Sequence, residues 1–284
     1  MSLACLAWID EPDPAGRWGD PDDLTLPLAD RGLLLADGLF ETVLVLQGEP
    51  RLLGAHLERW QRSARLLGLD APPAMERVAG LAEAAVSRSG IRSGALRLNW
   101  SRGAAAARGL SLPPHSRHRF WLQLHAARPW FTPVRVIVSP SERRCATSLL
   151  SRCKTFAYGS SIQARRQAEA AGADDALLES TAGGLCCGTA ATLLVRQGGR
   201  WLTPPLASGC LPGVMRERAL RLGLATEAAV GEITAASLLG SEAALLLNSL
   251  GCRPICALAG AGLGGGSDGA ASAAERFWHQ LLEA

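Results

Sequence analysis

Lys154-Thr155-Phe156-Ala157-Tyr158 contains the single lysine and the single tyrosine of the chain, four residues apart. Of the 29 Lys and Arg residues, 28 are arginine. An arginine stays protonated at any usable pH, whereas a lysine amine can lose its proton and attack a carbonyl carbon. A lone lysine therefore indicates either a role in covalent catalysis or a residue retained by chance, and the surrounding sequence has to distinguish these two explanations.

The chain on both sides of this stretch shows alternating strand and helix patterns. Leu57, Trp60, Ala64 and Leu67 recur with a helical period, and Gly68 is placed to end that helix. Gly198-Gly199 predicts a hairpin turn. Strand patterns cover residues 42–46, 95–101, 120–125, 134–138, 176–178, 192–195, 201–203 and 245–247, and helix patterns cover 53–67, 75–86, 160–171 and 212–223.

Two prolines within five residues, Pro129 and Pro133, indicate a linker. We therefore predict an N-terminal α/β domain over residues 1–126, a linker over 127–133 and a C-terminal domain over 134–284. The apolar fraction of 48% and charged fraction of 19% over 284 residues are typical of a folded chain with a sizeable core.

Six motifs, Lys154-Thr155-Phe156-Ala157-Tyr158 among them, occur in an order that resembles the class IV aminotransferase family. The resemblance runs from about residue 8 to residue 255. Each motif alone is a weak signal, but their joint order is a strong one. The other five are Asp30-Arg31-Gly32 with Asp37-Gly38-Leu39-Phe40-Glu41-Thr42, His56-Leu57-Glu58-Arg59-Trp60, Gly188-Thr189-Ala190-Ala191-Thr192-Leu193, Leu211-Pro212-Gly213-Val214-Met215-Arg216 and Asn248-Ser249-Leu250.

The resemblance implies an α+β, two-domain fold-type IV enzyme that uses pyridoxal 5'-phosphate (PLP), similar to D-amino acid aminotransferases. The N-terminal α/β domain would be the smaller one, and the C-terminal domain would be β-rich and bind PLP. Lys154 would hold PLP as a Schiff base and then carry protons. The other cofactor-binding residues it implies are Arg59, Val214, Met215 and Ser249 at the phosphate, Tyr158 at the phenolic oxygen, and Cys187 at the pyridine nitrogen.

These roles suit the residue types. An arginine fork and the free N–H groups of a helix that begins after Pro212 both bind anions well. An alternative for Tyr158 is a core aromatic. An alternative for Arg59 is an ion pair on the helix surface, although its neighbour Glu58 does not share its face.

Cys187 departs from the family pattern. Most members have a glutamate at this position, five residues before the one matched by Thr192, and it pairs with the protonated ring nitrogen. A thiol of ordinary pKa, about 8.5, would be neutral here. We predict that this change favours an elimination that ends in an aromatic product over transamination. Alternatives are a slow enzyme, a PLP-binding regulatory protein, or Glu179 supplying the charge.

Ser101-Arg102-Gly103 followed by Arg108-Gly109-Leu110 is similar to a segment of the aminodeoxychorismate lyases in this family. The resemblance implies a PLP-dependent carbon–oxygen lyase that converts 4-amino-4-deoxychorismate into 4-aminobenzoate and pyruvate for folate biosynthesis. Arg102 and Arg108 would bind the two substrate carboxylates. Solvated loop charges are the alternative for both arginines.

Two residues near the start of the chain complete the predicted site. Phe40 lies where D-amino acid transaminases place a tyrosine, so it is a candidate substrate-binding residue. The hydroxyl of Thr42, or Lys154 itself, would return a proton to the leaving enol. The alternative function on the same scaffold is an aminotransferase for D-amino or branched-chain amino acids.

Composition and spacing argue against other classes of protein. The net charge is +3 without a patch of basic and aromatic residues, so nucleic acid is not predicted as a partner. No apolar run would span a bilayer, Cys186 and Cys187 are adjacent instead of spaced as CxxC, and no histidine has metal-ligand spacing to a cysteine. We therefore predict no metal and a cytoplasmic location. Residues 260–269 are predicted to form a loop. They formally match the dinucleotide motif GxGxxG, but too few residues follow it. The family resemblance implies a homodimer.

Overall fold

The computed structural model describes residues 4–11, 15–104, 109–112, 117–263 and 269–283. The chain forms two compact units. The first comprises Met1–Arg128 and Cys153–Ala157, and the second comprises Pro129–Arg152 and Tyr158–Ala284. The stretch with Lys154 thus groups with the first unit, whereas the sequence-based boundaries assigned it to the C-terminal domain. Those boundaries stay a prediction.

The first unit is an antiparallel sheet with helices. Its strand order is β2-β1-β6-β5-β3-β4. Its elements are β1 (Cys5–Ile9), β2 (Arg17–Gly19), α1 (Arg31–Leu35), β3 (Gly38–Leu46), β4 (Glu49–Pro50), α2 (Leu53–Leu66), α3 (Met75–Ser89), β5 (Ser93–Ala104) and β6 (Arg117–Ala126), with a 3₁₀ turn at Pro21–Asp23.

One face of this sheet carries the core of the first unit. Leu96 and Leu98 of β5 are fully buried and pack with Leu57 and Trp60 of α2 in one apolar cluster. Side chains alternate across a strand, so Arg97 and Asn99 belong to the other face. The polar side chains of β5 therefore lie on one face of the strand, and the apolar side chains on its other face belong to the core.

The second unit contains a larger mixed sheet. Its strand order is β12-β11-β10-β13-β14-β7-β8-β9, β15 pairs with β14, and β9 also pairs with β10. Its elements are β7 (Val134–Arg144), α4 (Gly159–Ala170), β8 (Asp175–Ser180), β9 (Leu185–Gly188), β10 (Thr192–Gln197), β11 (Arg200–Thr203), α5 (Val214–Arg221), β12 (Thr226–Glu227), α6 (Ala235–Leu239), β13 (Ala243–Asn248), β14 (Gly251–Leu258), β15 (Ala261–Gly262) and α7 (Ala270–Glu283), with 3₁₀ turns at Leu149–Arg152 and Leu206–Ser208.

The four helices predicted from spacing are present as α2, α3, α4 and α5, and the predicted hairpin joins β10 to β11. Several strands extend beyond their predicted ends; β5, for example, covers Ser93–Ala104. The loop prediction for residues 260–269 is wrong at Ala261–Gly262, which pairs with β14. Residues 264–268 of that stretch lie outside the described residues. No helix in the described part of the chain could cross a membrane.

Candidate active site

The stretch with Lys154 is held by backbone hydrogen bonds to the start of β3. The amide N–H of Phe40 donates to the Lys154 carbonyl oxygen (2.9 Å), and the amide N–H of Phe156 donates to that of Gly38 (3.1 Å). Leu39 and Thr155 form an antiparallel bridge between these two bonds. Two distant motifs of the sequence therefore form one local structure, and the lysine has a fixed backbone.

Gly38 has no room for a side chain. A Cβ atom there would lie 2.2 Å from the Phe156 ring and 2.9 Å from the Trp100 carbonyl oxygen. We expect Gly38→Ala to push the Phe156 ring away and to cost about 1–3 kcal/mol of stability, the usual cost of overpacking. Denaturant unfolding would measure the loss.

Gly80→Ala is the matched control for this substitution, because Gly80 lies within α3 and a Cβ there meets no atom within 4 Å. Its stability should rise slightly, since alanine favours a helix. Adding Phe156→Leu to Gly38→Ala should recover part of the loss. Equal stability of Gly38→Ala and the wild-type protein would contradict the steric argument.

Phe40 brings the lysine and an arginine together. The Lys154 Nζ atom lies 4.3 Å from the centroid of the Phe40 ring, and the Arg97 guanidinium carbon lies 3.6 Å from the same centroid. The Arg97 Nε–H donates to Asn99 Oδ1 (2.7 Å). Thr42 is directly opposite Arg97 in the β3–β5 pairing and is half-buried. Arg97 was not predicted from the sequence, although its alternation with Leu96 and Leu98 indicates that it lies on the polar face of β5.

Glu41 of β3 forms a buried cluster with His56 and Arg59 of α2. The side chains of Glu41, His56 and Arg59 are 1%, 1% and 5% exposed. Arg59 donates to Glu41 Oε1 through Nε (2.8 Å) and to Oε2 through Nη2 (2.5 Å). His56 Nδ1 lies 2.8 Å from Oε2. One carboxylate thus binds two side chains of the helix motif.

The ion pair with Arg59 keeps the Glu41 carboxyl group ionised. Burial acts to raise the pKa of Glu41, but the charge and hydrogen bonds of Arg59, with the contact from His56, lower it to about 2. Burial lowers the pKa of His56 despite the opposing effect of Glu41, so His56 is neutral at neutral pH. Glu41 was not predicted as a site residue from the sequence. A phosphate contact by Arg59 stays a prediction.

Arg102 is part of the framework of the first unit. It is 5% exposed, and it donates to Asp37 (2.8 Å) and to the carbonyl oxygens of Leu67 (3.0 Å) and Gly68 (2.7 Å). Arg31 donates to the same Asp37 oxygen (2.8 Å). Burial acts to raise the pKa of Asp37, but the two arginines hold it below its ordinary value. Substrate binding by Arg102 is untested, and Arg108 lies outside the described residues.

The remaining predicted cofactor residues lie in the second unit. Tyr158 precedes α4 as its N-cap and is half-buried. Val214 and Met215 begin α5 and are buried, and Ser249 lies in the turn between β13 and β14. Within the described residues, no side chain caps the N-terminus of α5. A Cβ at Gly213 would come within 3.0 Å of Thr192 Oγ1, so the backbone approaches closely there.

Cys187 is half-buried on β9, where it pairs with Thr192 of β10. A hydrogen bond from Cys186 lowers its pKa, burial opposes this, and the charge of Arg144 adds to the lowering. The thiol is therefore more easily ionised than its ordinary pKa predicted. Glu179, the alternative acid, forms an ion pair with Arg143 (3.1 Å).

The donor groups fit PLP chemically. The Lys154 amine lies over the Phe40 ring in the first unit, and an arginine and a helix N-terminus without a side-chain cap are types of donor that phosphate favours. Cys187 is the exception, because a thiol must ionise before it can replace a carboxylate.

Comparisons with known proteins show which family the chain resembles. The family model for amino-transferase class IV matches residues 38–258. A bifunctional aminodeoxychorismate lyase / D-amino acid transaminase of Mycobacterium tuberculosis is 32% identical over 192 residues, 62% of this chain and 65% of that protein. An aminodeoxychorismate lyase of Bacillus subtilis is 26% identical over 245 residues, 83% of this chain and 82% of that protein.

The fold agrees as well. A solved fold IV-transaminase from Curtobacterium pusillum has a TM-score of 0.81 and 25% identity to this chain, and the match covers 99% of both chains. The prediction of a two-domain α+β fold of type IV is therefore confirmed.

Proposed function

Since this chain belongs to the class IV aminotransferases, we propose that it is a PLP-dependent carbon–oxygen lyase. Its substrate is 4-amino-4-deoxychorismate, and its products are 4-aminobenzoate and pyruvate. The observation that carries this proposal is the position of the Lys154 amine and the Arg97 guanidinium on one phenyl ring, that of Phe40. A base and a carboxylate-binding cation are what this anionic substrate requires.

Each step uses a residue of the first unit. When bound, PLP supplies an electron-withdrawing ring to the substrate amine. Lys154 accepts the proton from C4 of the substrate, the enolpyruvyl C–O bond breaks, and the ring becomes aromatic. Lys154 or the Thr42 hydroxyl returns a proton to the leaving enolate, which gives pyruvate. Thr42 supports this role because it is cross-strand partner to Arg97.

Cofactor binding is proposed for two groups of residues. In the first unit these are Lys154 and Arg59. In the second unit they are Tyr158, Cys187, Val214, Met215 and Ser249, and the uncapped N-terminus of α5 supports the phosphate contacts. We also propose Phe40, Arg97, Arg102 and Arg108 as substrate-side residues. Among these, the internal hydrogen bonds of Arg102 favour a positioning role.

The lyase is supported by the similarity to the aminodeoxychorismate lyase from Bacillus subtilis, which matches more than four fifths of both chains. That the thiol at Cys187 favours elimination over transamination stays a prediction. An aminotransferase for D-amino or branched-chain amino acids is the second candidate. The aminotransferase is kept as a candidate because the name of the relative from Mycobacterium tuberculosis combines both activities.

A product assay with purified protein and PLP tests the proposal. With 4-amino-4-deoxychorismate, we expect equal amounts of 4-aminobenzoate, followed by fluorescence, and pyruvate. With D-alanine or L-leucine and 2-oxoglutarate, we expect far slower keto-acid formation. Fast keto-acid formation without 4-aminobenzoate would replace the lyase with the second candidate.

Arg97→Met tests the proposed substrate-binding role of Arg97, which was not predicted from the sequence. We expect kcat/KM to fall about 10- to 100-fold, mostly through KM, because a charge-assisted hydrogen bond to a carboxylate is lost. Arg97→Lys should recover part of it. Arg92→Met, at an exposed position of the same unit, is the control. A fall in kcat alone, with KM unchanged, would contradict carboxylate binding by Arg97.

We propose that the protein assembles as a homodimer. The first unit exposes Leu33, Leu34 and Leu35 of α1, and also Leu110 and Leu112. Arg31 joins these regions because it donates to the carbonyl oxygens of Gly109 (3.1 Å) and Ser111 (3.4 Å). An exposed apolar patch of this kind is typical of an interface. Light scattering after gel filtration should give twice the chain mass.

A further inference from the structure

A cavity lies at one end of the larger sheet, within the second unit. Asp175 begins β8, Asn248 ends β13, and both residues line the cavity. Its volume is about 60 Å³. A single water molecule needs about 10–15 Å³, so there is room for about four water molecules or one small oxyanion. Within the described residues, the lining includes none of the second-unit residues proposed for the cofactor.

Asp175 holds one wall of the cavity in place. Its side chain is buried, and its Oδ1 atom accepts hydrogen bonds from the Thr189 hydroxyl (2.6 Å) and the Ala176 amide N–H (2.8 Å). Its Oδ2 atom lies 2.8 Å from Arg165 Nη2, which also donates to the Thr189 hydroxyl (2.8 Å). Both oxygens of this carboxylate are therefore bonded, and its negative charge is paired with Arg165.

The turn between β9 and β10 forms another part of the wall. The Gly188 amide N–H donates to the Ala191 carbonyl oxygen (2.9 Å), and the Asn248 side-chain amide donates to that of Ala190 (3.3 Å). Both alanines line the cavity, and in the described part of the chain their own amide N–H groups donate to no protein acceptor. Successive backbone N–H groups in a turn bind anions well.

Arg253 supplies the cationic side of the cavity. It is half-buried, and its Nε–H donates to the Thr132 carbonyl oxygen (3.1 Å). Its guanidinium carbon lies 5.8 Å from the centroid of the Trp130 ring, and the Trp130 backbone is hydrogen-bonded to Leu250 and Cys252. Among the described residues, neither Nη group of Arg253 has an acceptor. The guanidinium is therefore anchored through Nε, while its two Nη groups can bind a ligand.

The charges near Arg253 leave one positive charge unmatched. Asp174 pairs with Arg135 (3.3 Å), and Asp175 pairs with Arg165 (2.8 Å). Burial lowers the pKa of Arg253, the charges of Asp174 and Asp175 oppose this, and the charge of Arg165 adds to the lowering. Three arginines and two carboxylates leave a net charge of +1 in this group. A bound anion would neutralise it and would offset the cost of burying the guanidinium.

We propose that this cavity, which we call the Arg253 pocket, binds a small oxyanion, either inorganic phosphate or the carboxylate of a small organic acid. Arg253 binds two of the oxygens through Nη1 and Nη2, the bidentate contact that guanidinium groups favour. The amides of Ala190 and Ala191 add backbone donors. Neither PLP nor the substrate of the proposed lyase takes part in this binding, so the pocket is a separate function of the second unit.

Calorimetric titration of the full-length protein tests the pocket. The protein is first loaded with PLP and reduced with borohydride, so that the cofactor fills its own site and cannot exchange. Inorganic phosphate and pyruvate are then titrated separately. We expect a dissociation constant of about 1 mM or lower for one of them, which is within reach of so small a ligand. The probe that binds more tightly identifies the class of anion.

Substitution of Arg253 tests whether that arginine binds the probe. Arg253→Met should weaken binding at least about 10-fold, because a bidentate, charge-assisted contact is lost. Arg253→Lys, which keeps the charge without the fork, should recover part of it. Arg200→Met is the matched control, since Arg200 is an exposed arginine of the same unit, and its binding should equal that of the wild-type protein. Thermal unfolding checks that each variant is folded.

Chemical modification locates the anion without any substitution. Phenylglyoxal modifies accessible arginines, and peptide mass spectrometry quantifies the modification of each one. At a probe concentration about ten times the dissociation constant, modification of Arg253 should slow about 10-fold, because only the unliganded fraction reacts. Modification of Arg200 should proceed at an unchanged rate.

The outcomes separate this inference from the proposed function. A dissociation constant above about 1 mM for both probes, or equal binding by folded Arg253→Met and Arg200→Met, overturns the pocket. Binding to the apoprotein that is lost in the reduced, PLP-loaded protein places the probe in the cofactor site; it overturns the pocket and leaves the proposed function standing. A protein without the visible PLP band overturns the proposed function, and the same titration of that protein still decides the pocket.

Discussion

Glu41→Ala is expected to lower the free energy of unfolding by about 3–5 kcal/mol, because it leaves the Arg59 guanidinium buried without its counter-charge. Glu41 makes two hydrogen bonds with Arg59 and one with His56, and all three side chains are at least nine-tenths buried. Urea unfolding followed by circular dichroism would measure the loss. Glu41→Gln, which keeps an acceptor oxygen, should lose less.

Glu58→Ala is the matched control, since Glu58 lies on the same helix motif but is exposed. Its stability should stay within about 0.5 kcal/mol of the wild-type value. If Glu41→Ala were no less stable than Glu58→Ala, the buried cluster would not support the first unit as described.

The pH dependence of stability has the same origin. The pKa of Glu41 is about 2 in the folded protein and 4.5 as its ordinary value. A lowered pKa contributes stability that is fully present above pH 4.5 and is lost as the pH falls towards 2. A shift of this size corresponds to about 3 kcal/mol. Glu41→Gln should flatten the acid limb of the unfolding profile, and an unchanged limb would contradict the pairing.

Lys154→Ala is expected to abolish the visible absorbance band that appears when PLP is added, because no other lysine exists to bind it covalently. The same change should lower turnover of 4-amino-4-deoxychorismate by about 10³-fold or more, since the base and the covalent anchor are lost together. Absorbance from 300 to about 500 nm, before and after borohydride, would measure the first effect.

Lys154→Arg is the charge-matched control, because an arginine keeps the cation on Phe40 but cannot react with an aldehyde. It should be as inactive as Lys154→Ala. A small primary amine in the buffer should restore some turnover to Lys154→Ala. Undiminished turnover in either folded variant would contradict the role of Lys154.

The sequence by itself determined the family, the fold class and the residue to which the cofactor is proposed to bind. Local signals carried this information: the helical spacing of Leu57 and Trp60, the turn at Gly198-Gly199, and the order of six motifs along the chain. A lone lysine among 28 arginines could be recognised without any structure because its chemistry is unique among the cations of the chain.

Only the tertiary structure decided which side chains meet. Arg97 joins Lys154 on Phe40 because β3 and β5 pair in one register, which no local pattern specifies. Glu41 pairs with Arg59, and Asp37 pairs with Arg102. Each contact joins residues that are far apart in the chain, so local sequence patterns do not predict it. Long-range pairing and burial set these contacts and the resulting pKa values, whereas local spacing sets only the elements that carry them.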